Sequence, residues 1–175
     1  YFHVLGNGIW ILPNSNDEKA KLNVSIYWKD FPAEWKLANS FGANETKQNF
    51  QTDVGSLMSS VFVGGDFRLI QKLVKGKPVW TAIRGKWNFA DEQFTDLTEK
   101  IIAAERDFFK DFNHPYYLVT AIPLEGDKSA MSLGGTGLTN SFATFITTNV
   151  SLEMIASLIA HEYFHNWNSN AFGGM

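Results

Sequence analysis

The sequence predicts an α+β fold, in which a β-rich first half precedes a region with two long helices. Three patterns indicate this class: short alternating segments, glycine-containing turns, and two segments whose apolar residues recur at three- and four-residue steps. The 175 residues are 45% hydrophobic and 19% charged, a balance typical of a folded globular chain. Fifteen Phe, 6 Trp and 5 Tyr residues supply the large side chains of its core.

The beginning of the chain contains segments typical of strands and tight turns. Residues 1–12 hold two short apolar runs around Gly6–Gly8, and this pattern predicts a hairpin. Residues 22–29 alternate apolar and polar side chains and predict a half-buried strand. Residues 39–52 are polar and contain glycine, so they predict a loop.

A short helix and a second hairpin are expected next. Apolar residues between 54 and 62 follow helical spacing, with Thr52 or Asp53 as the N-terminal cap. Residues 66–75 and 78–84 flank a Lys-Gly-Lys turn and predict two paired strands.

From residue 91 the pattern becomes helical. Apolar residues recur up to Phe112, with Asp91 as a candidate cap and the His114-Pro115 pair as the end. This change of pattern predicts a domain boundary near residue 90, which separates residues 1–90 from residues 91–175.

The remaining elements alternate between strand and helix. Residues 116–122 form an apolar run and predict a buried strand, and 124–129 predict a polar loop. Strands are expected at 131–133 and 141–148, on either side of a glycine-rich stretch. Residues 152–167 predict a helix capped by Asn149 or Ser151.

Composition excludes several classes of function. A net charge of −3 and a pI near 5.8 argue against a nucleic-acid binder that depends on a basic surface. The absence of cysteine excludes disulfides, thiolate zinc sites and a cysteine nucleophile. No apolar run is long enough for a transmembrane segment. Neither the compartment, cytoplasmic or periplasmic and secreted, nor the oligomeric state is decided by these observations.

One motif carries clear chemistry: His161, Glu162 and His165 form a His-Glu-x-x-His pattern within the last helix. Histidines four residues apart share a helix face, so both imidazoles can bind one Zn²⁺ ion. Zinc lowers the pKa of a bound water to about 7, and the glutamate then acts as a general base. Random placement of the 4 His residues gives about 0.005 such matches, so chance is an unlikely source of the motif.

A catalytic zinc ion normally has three protein ligands, and the motif supplies two. Asn168 and Ala171 stand where the extended metzincin pattern has Gly and His, which excludes that class. Two sources of the third ligand remain open. Either a glutamate beyond Met175 completes the site, as we expect, or an earlier group such as His114 or Glu125 folds back to it.

The stretch 161–168, His-Glu-Tyr-Phe-His-Asn-Trp-Asn, resembles the zinc helix of the glycyl aminopeptidase family of gluzincin metallopeptidases. These enzymes are relatives of the thermolysin-like and aminopeptidase N enzymes. Residues 63–66, 115–119 and 134–141 also fit the family. The resemblance implies that 1–90 end an N-terminal β domain and that 91–175 begin a thermolysin-like zincin catalytic domain.

The glycine-rich stretch is the candidate substrate-binding segment. An exposed strand edge there can pair with extended peptide backbone, and Gly135, Thr136, Gly137 and Asn140 are the residues expected to meet it. An ordinary loop and strand is the other explanation. The resemblance implies an acidic residue at the position of Gly137, where relatives hold the free amino group of the substrate, and this sequence departs from that pattern.

The leading hypothesis is therefore a zinc-dependent metallopeptidase, with an aminopeptidase as one form, that hydrolyses peptide or protein substrates. Zn²⁺ is its cofactor, with Glu162 catalytic and His161 and His165 as metal ligands. The activity is assigned to a longer parent protein, and residues 1–175 alone are expected to be inactive. The alternative is a non-catalytic peptide-binding or interaction module derived from a metallopeptidase, which the loss of the acid at Gly137 favours.

Overall fold

The computed structural model describes residues 1–12, 17–124 and 130–171, with no description of the side chains of 169–171. It confirms the α+β class. The strands are β1 Phe2–Leu5, β2 Lys21–Tyr27, β3 Lys36–Asn39, β4 Gly42–Ala43, β5 Lys47–Asp53, β6 Val61–Gly65, β7 Arg68–Val74, β8 Lys77–Ile83, β9 Tyr117–Pro123, β10 Leu133–Leu138 and β11 Ser141–Ile146. The helices are α1 Val54–Met58, α2 Asp91–Phe109 and α3 Leu152–Ala171.

The largest sheet has five strands in the order β10-β11-β9-β8-β7. Strand β9 lies at its centre and runs parallel to both β8 and β11, while the two outer pairs are antiparallel. Six of the seven residues of β9 are buried, as expected for an apolar run in a sheet centre. This confirms the strand predicted at 116–122 and leaves β10 at a sheet edge.

The sheet takes β7 and β8 from before residue 90 and β9 to β11 from after it. A boundary near residue 90 would therefore pass through one hydrogen-bonded sheet. The division into 1–90 and 91–175 stays a prediction. Its basis was the switch from strand to helix pattern, and that switch occurs at a connection inside the sheet.

The remaining strands form a four-stranded sheet, β1-β6-β3-β4, and the pair β2-β5. The hairpin predicted in residues 1–12 is wrong, because β1 pairs with β6 and Gly6–Gly8 form a 3₁₀ turn. A side chain at Gly6 would collide with the carbonyl oxygen of Leu57. Close packing against α1, rather than a hairpin turn, explains that glycine.

The loop predicted at 39–52 is also wrong in part, because β4 and β5 lie there. Strand β5 pairs along its whole length with β2, its one partner strand among the residues described, and most of its side chains are exposed or half-buried. A two-stranded ribbon exposes polar side chains widely, so its sequence resembles that of a loop.

The helix predicted at 54–62 is shorter than expected. Asp53 is confirmed as its cap, because its carboxylate accepts a hydrogen bond of 2.7 Å from the Ser56 backbone N–H. The helix ends at Met58, and Val61 and Phe62 are buried in β6. Residues buried on all sides carry no periodicity that separates helix from strand.

The hairpin predicted around residue 76 is confirmed. Lys75 and Gly76 both have left-handed backbone angles, with φ of 51° and 78°. Two such residues form the turn whose twist matches that of paired strands, which explains the glycine at this position.

Helices α2 and α3 pack on the same face of the five-stranded sheet and contact each other. Helix α2 begins at Asp91, and Ala90 is its N-terminal cap residue. The Ala90 N–H donates to Gln93 Oε1, so Asp91 lies in the first turn rather than at the cap. It ends before His114-Pro115, because Lys110 adopts a left-handed φ of 53°.

Of the two candidate caps of α3, Ser151 accepts a hydrogen bond of 3.4 Å from the Met154 backbone N–H. Among the described residues, no helix has the length and apolarity needed to cross a bilayer.

Candidate metal centre and adjoining cleft

Helix α3 places His161 and His165 one turn apart, and their Nε2 atoms lie 3.2 Å from each other. Two nitrogens bound to one zinc ion at about 2.05 Å in tetrahedral geometry lie about 3.3 Å apart. The two imidazoles therefore fit a shared ion without a change of rotamer. His161 is exposed and His165 is half-buried, so an ion can reach the pair from solvent.

Glu162 completes the cluster. One ligand atom from each of His161, Glu162 and His165 lies within 4.8 Å of the others. The Glu162 side chain points toward β10, where a Cβ built on Gly137 would lie 3.4 Å from its Oε2. This carboxylate therefore stands between the two imidazoles and the edge of the sheet, where an acid–base group for a bound peptide would be needed.

Asn168 is hydrogen-bonded to the candidate metal site, a contact that was missed in the sequence, where this residue marked only a departure from another zincin class. The Nδ1–H of His165 donates to Asn168 Oδ1 at 2.8 Å. This bond fixes the tautomer of His165 and leaves Nε2 with a lone pair for a metal. The signal was present in the sequence, since residues three apart on a helix are neighbours.

We predict that Asn168→Ala lowers the affinity for zinc by about 10- to 100-fold, because the orienting hydrogen bond to His165 is lost. Competition with a chromogenic chelator measures this affinity. Ser157→Ala, an exposed position of the same helix, is the matched control and should leave the affinity unchanged. Equal affinities of the Asn168 variant and wild type would refute this role.

A cavity of about 600 Å³ adjoins the cluster. It lies between the end of α3 that carries the motif, the start of β9 and the β10–β11 turn. Its lining residues are Ser56, Ser59, His114, Tyr117, Gly137, Leu138, Thr139, Asn140, Glu162, His165 and Asn166. Of the predicted substrate-binding residues, Gly137 and Asn140 therefore face the cavity, while Gly135 and Thr136 lie farther along β10.

The glycine-rich stretch forms strand β10 itself, which corrects the expectation that it connects two strands. The turn lies at Thr139 and Asn140, and within the described part of the chain β10 pairs with β11 alone. Its residues 135–137 are exposed, so the strand edge that the sequence predicted is present. Glycine is rare within strands, which is why the sequence pattern favoured a connection.

The glycines of β10 differ in their surroundings. A Cβ at Gly135 would lie 2.6 Å from both the Ala143 carbonyl oxygen and the Phe142 ring, so this glycine permits close packing on β11. A Cβ at Gly134 would meet no atom of the described residues within 4 Å. Gly134 and Gly137 are therefore the positions at which missing side chains leave open space beside the strand.

The β10–β11 turn is tied to the N-terminal region. The Thr139 N–H donates to the Ser59 carbonyl oxygen at 2.7 Å, and the Thr139 hydroxyl donates to the Ser56 carbonyl oxygen at 2.9 Å. Asn140 has a left-handed φ of 48°, and its amide donates to the Ser40 carbonyl oxygen at 3.5 Å. Asn140 thus has a structural role in addition to its place in the cavity wall.

The buried side of the motif is held by Arg106 of α2, which is fully buried. Its Nε–H donates to the Tyr163 hydroxyl at 2.8 Å, and Nη1 lies 3.5 Å from the Val74 carbonyl oxygen. The Tyr163 ring packs edge-on against Tyr117, with centroids 4.6 Å apart. These contacts fix the rotation of α3, and so the direction in which the two histidines point.

We predict an unusual pH dependence of stability from Glu105, which lies beside Arg106 on α2. Burial raises the pKa of Glu105 from 4.5 to about 7. The folded state thus binds this proton more tightly than the unfolded state, so the group's contribution to stability is full below pH 4.5 and is lost as pH rises to about 7. Glu105→Gln should reduce the change of the urea unfolding midpoint with pH across this range. Glu34→Gln, at an exposed position, should leave that pH dependence as it is in the wild type. If the urea midpoint of the Glu105 variant changed with pH as much as that of the wild type, Glu105 would not be the source of this pH dependence.

The two earlier candidates for a third ligand have different outcomes. His114 lines the cavity, but it lies outside the cluster of His161, Glu162 and His165. Glu125 lies outside the described residues.

Comparison with known proteins relates this fold to that of a solved structure. No family model matches the chain, and no curated protein sequence matches it significantly. The crystal structure of an aminopeptidase N family protein from Idiomarina loihiensis is similar, with a TM-score of 0.60 and 20% sequence identity. The chain shares its fold. The match covers 77% of this chain and 25% of the other, so the chain spans about a quarter of that protein's length.

Proposed function

We propose that this chain carries the zinc helix and part of the substrate cleft of a zinc metallopeptidase. The observation that supports this most strongly is the 3.2 Å separation of the His161 and His165 Nε2 atoms, with Glu162 beside them. The similarity in fold to an aminopeptidase N family protein supports the same conclusion. A histidine pair on a solvent-facing helix without a metal would not require the hydrogen bond that orients His165.

In this proposal His161 and His165 hold Zn²⁺ through Nε2. A bound zinc ion supplies Lewis acidity, which makes water nucleophilic near neutral pH. Glu162 takes the proton from the attacking water and delivers it to the leaving amine. A glutamate from beyond Met175 remains the proposed third ligand.

The substrate would be a peptide in extended conformation along β10. An edge strand offers unpaired N–H and C=O groups, which bind peptide backbone without regard to its sequence. The exposed residues Gly135, Thr136 and Gly137 leave that edge accessible. A peptide bound there passes Glu162, because Gly137 adjoins its carboxylate.

Gly137 also bears on the choice between peptidase types. A substrate with a free amino group needs an anion near the scissile bond, and Gly137 supplies none. Cleavage of internal bonds is therefore the form of activity that we propose, with removal of N-terminal residues as the rival. A module that binds peptides without cleaving them is the second candidate, and Gly137 favours it as well.

A mixture of free and N-acetylated peptides, incubated with the zinc-loaded full-length protein and analysed by mass spectrometry, tests these alternatives. Internal cleavage of acetylated peptides supports the proposal, and loss of single residues from free peptides only supports the aminopeptidase. The double variant His161→Ala/His165→Ala is the control and should give no products. Peptide binding without products would favour the module, and neither binding nor products would contradict all three.

A further inference from the structure

His114 occupies one end of the cavity, between the end of α2 and the start of β9. Its ring lies 5.5 Å from the Trp167 ring and 6.1 Å from the Tyr163 ring, measured between centroids. Its side chain is 19% exposed, and the cavity is the space that it faces. The zinc helix therefore holds this imidazole beside the cavity without using it as a metal ligand.

Asp111 lies beside the same histidine. Its carboxylate accepts hydrogen bonds from the Asn113 N–H at 3.0 Å and from Trp167 Nε1 at 3.1 Å. The Oδ2 atom that accepts from Trp167 lies 3.6 Å from His114 Nε2. These donors hold the pKa of Asp111 below its usual range, so it is a fixed anion that links α2 to the zinc helix.

The fixed anion determines which nitrogen of His114 carries the proton. A carboxylate beside Nε2 favours the tautomer with Nε2–H, which leaves a lone pair on Nδ1. Nε2 is buried and makes no hydrogen bond within the described residues, so the part of the ring that is exposed to the cavity lies away from Nε2. Burial lowers the pKa of His114, so the neutral ring that carries this lone pair dominates at pH 7.

A peptide along β10 needs such an acceptor. Successive backbone groups of an extended chain point in opposite directions, so half of the substrate N–H groups face away from the strand. An N–H that a bound peptide buries without a partner costs free energy. His114 lines the same cavity as Gly137 and Glu162 but belongs to a different element.

We propose that His114 is a substrate-binding residue of this site, whose Nδ1 accepts a hydrogen bond from a peptide N–H. Asp111 is its positioning residue. This inference rests on the proposed function, because it requires a peptide in the cleft. It assigns to the described chain a substrate contact outside the metal-binding motif and outside the strand edge.

Two substitutions separate the hydrogen bond from the packing of the ring. His114→Phe keeps an aromatic ring against Trp167 but removes the acceptor. His114→Asn loses the ring but places an amide oxygen near the position of Nδ1. The probe is a fluorescein-labelled heptapeptide of alanine with a central phenylalanine, titrated by anisotropy into zinc-loaded full-length Glu162→Gln protein, which binds without cleavage.

We expect His114→Phe to weaken binding about tenfold and His114→Asn to weaken it less than about threefold, with zinc content unchanged in both. With Glu162 present, kcat/KM should fall by the same factors, and the loss should appear in KM. Wild-type affinity in both variants would overturn the inference. An equal loss in both would also overturn it, because the ring's packing and not its acceptor would then matter.

Asp111→Asn tests the positioning role. It should weaken peptide binding when His114 is present and have no further effect in the His114→Phe background. Additive effects would mean that Asp111 acts on something other than His114. Asp107→Asn, an exposed acid of α2, is the matched control.

The two proposals fail in different ways. If the heptapeptide binds with the expected pattern but the protein with Glu162 never cleaves peptides, the metallopeptidase proposal is wrong and the His114 contact stands. If peptides are cleaved but His114→Phe leaves KM unchanged, only the His114 contact is wrong. Absence of any peptide binding overturns both.

Discussion

Replacement of Glu162 by glutamine is expected to lower the rate of peptide hydrolysis by about 100- to 10,000-fold while zinc remains bound. Glutamine has nearly the same shape as glutamate, but it cannot accept the proton of the attacking water. The proposed metal ligands His161 and His165 are unchanged in this variant. The test is the rate of peptide cleavage in a discontinuous assay, with the zinc content of the same samples measured by atomic absorption.

The control for this substitution lies on the same helix. Glu153 is exposed in the first turn of α3, and Glu153→Gln should keep wild-type activity. If the Glu162 variant retained more than about a tenth of the wild-type rate, Glu162 would not be the general base. A loss of zinc along with activity would instead give Glu162 a role in binding the metal.

Tyr163→Phe is expected to lower the free energy of unfolding by about 2 kcal/mol. The hydroxyl of Tyr163 accepts a hydrogen bond from Arg106, a guanidinium that is completely buried. Among the described residues, Arg106 Nη2 has no hydrogen-bond partner, so loss of the hydroxyl leaves a buried cation with little compensation. Urea unfolding followed by circular dichroism measures the change.

Tyr27→Phe is the matched control for this prediction. Tyr27 is 55% exposed, and loss of its hydroxyl should change the free energy of unfolding by less than about 0.5 kcal/mol. Similar changes in the two variants would show that Arg106 does not depend on Tyr163.

The geometry of the His-Glu-x-x-His motif could be predicted from the sequence because it is local. Residues four apart on a helix lie on one face whatever the rest of the chain does, so the placement of His161 and His165 needed only a helix. The same holds for the hairpin around Gly76, whose turn residues determine its shape.

Features that depend on distant residues were not predictable in this way. Strand β5 carries polar residues that resemble a loop until β2 pairs with it, and Gly6 is explained only by the nearby backbone of α1. The contacts of Arg106 with Tyr163 and of Asp111 with Trp167 join residues 57 and 56 positions apart. No spacing rule connects residues that far apart, so the contacts that support α3 required the structure.

The edge strand β10 could be predicted only in part. The sequence indicated an exposed edge near the glycines, and β10 provides one. The position of the turn was wrong, because glycine is far more common in turns than in strands. The packing of Gly135 on Phe142 explains why a strand contains glycine here.

Zinc-dependent hydrolysis of peptides is the central claim, and the most direct measurement is the rate of cleavage by the full-length protein before chelation, after chelation, and after zinc is restored. We predict that removal of zinc abolishes cleavage and that one equivalent of zinc per chain restores it. Cleavage that persists after complete removal of zinc, or that zinc fails to restore in a folded protein, would contradict the assignment.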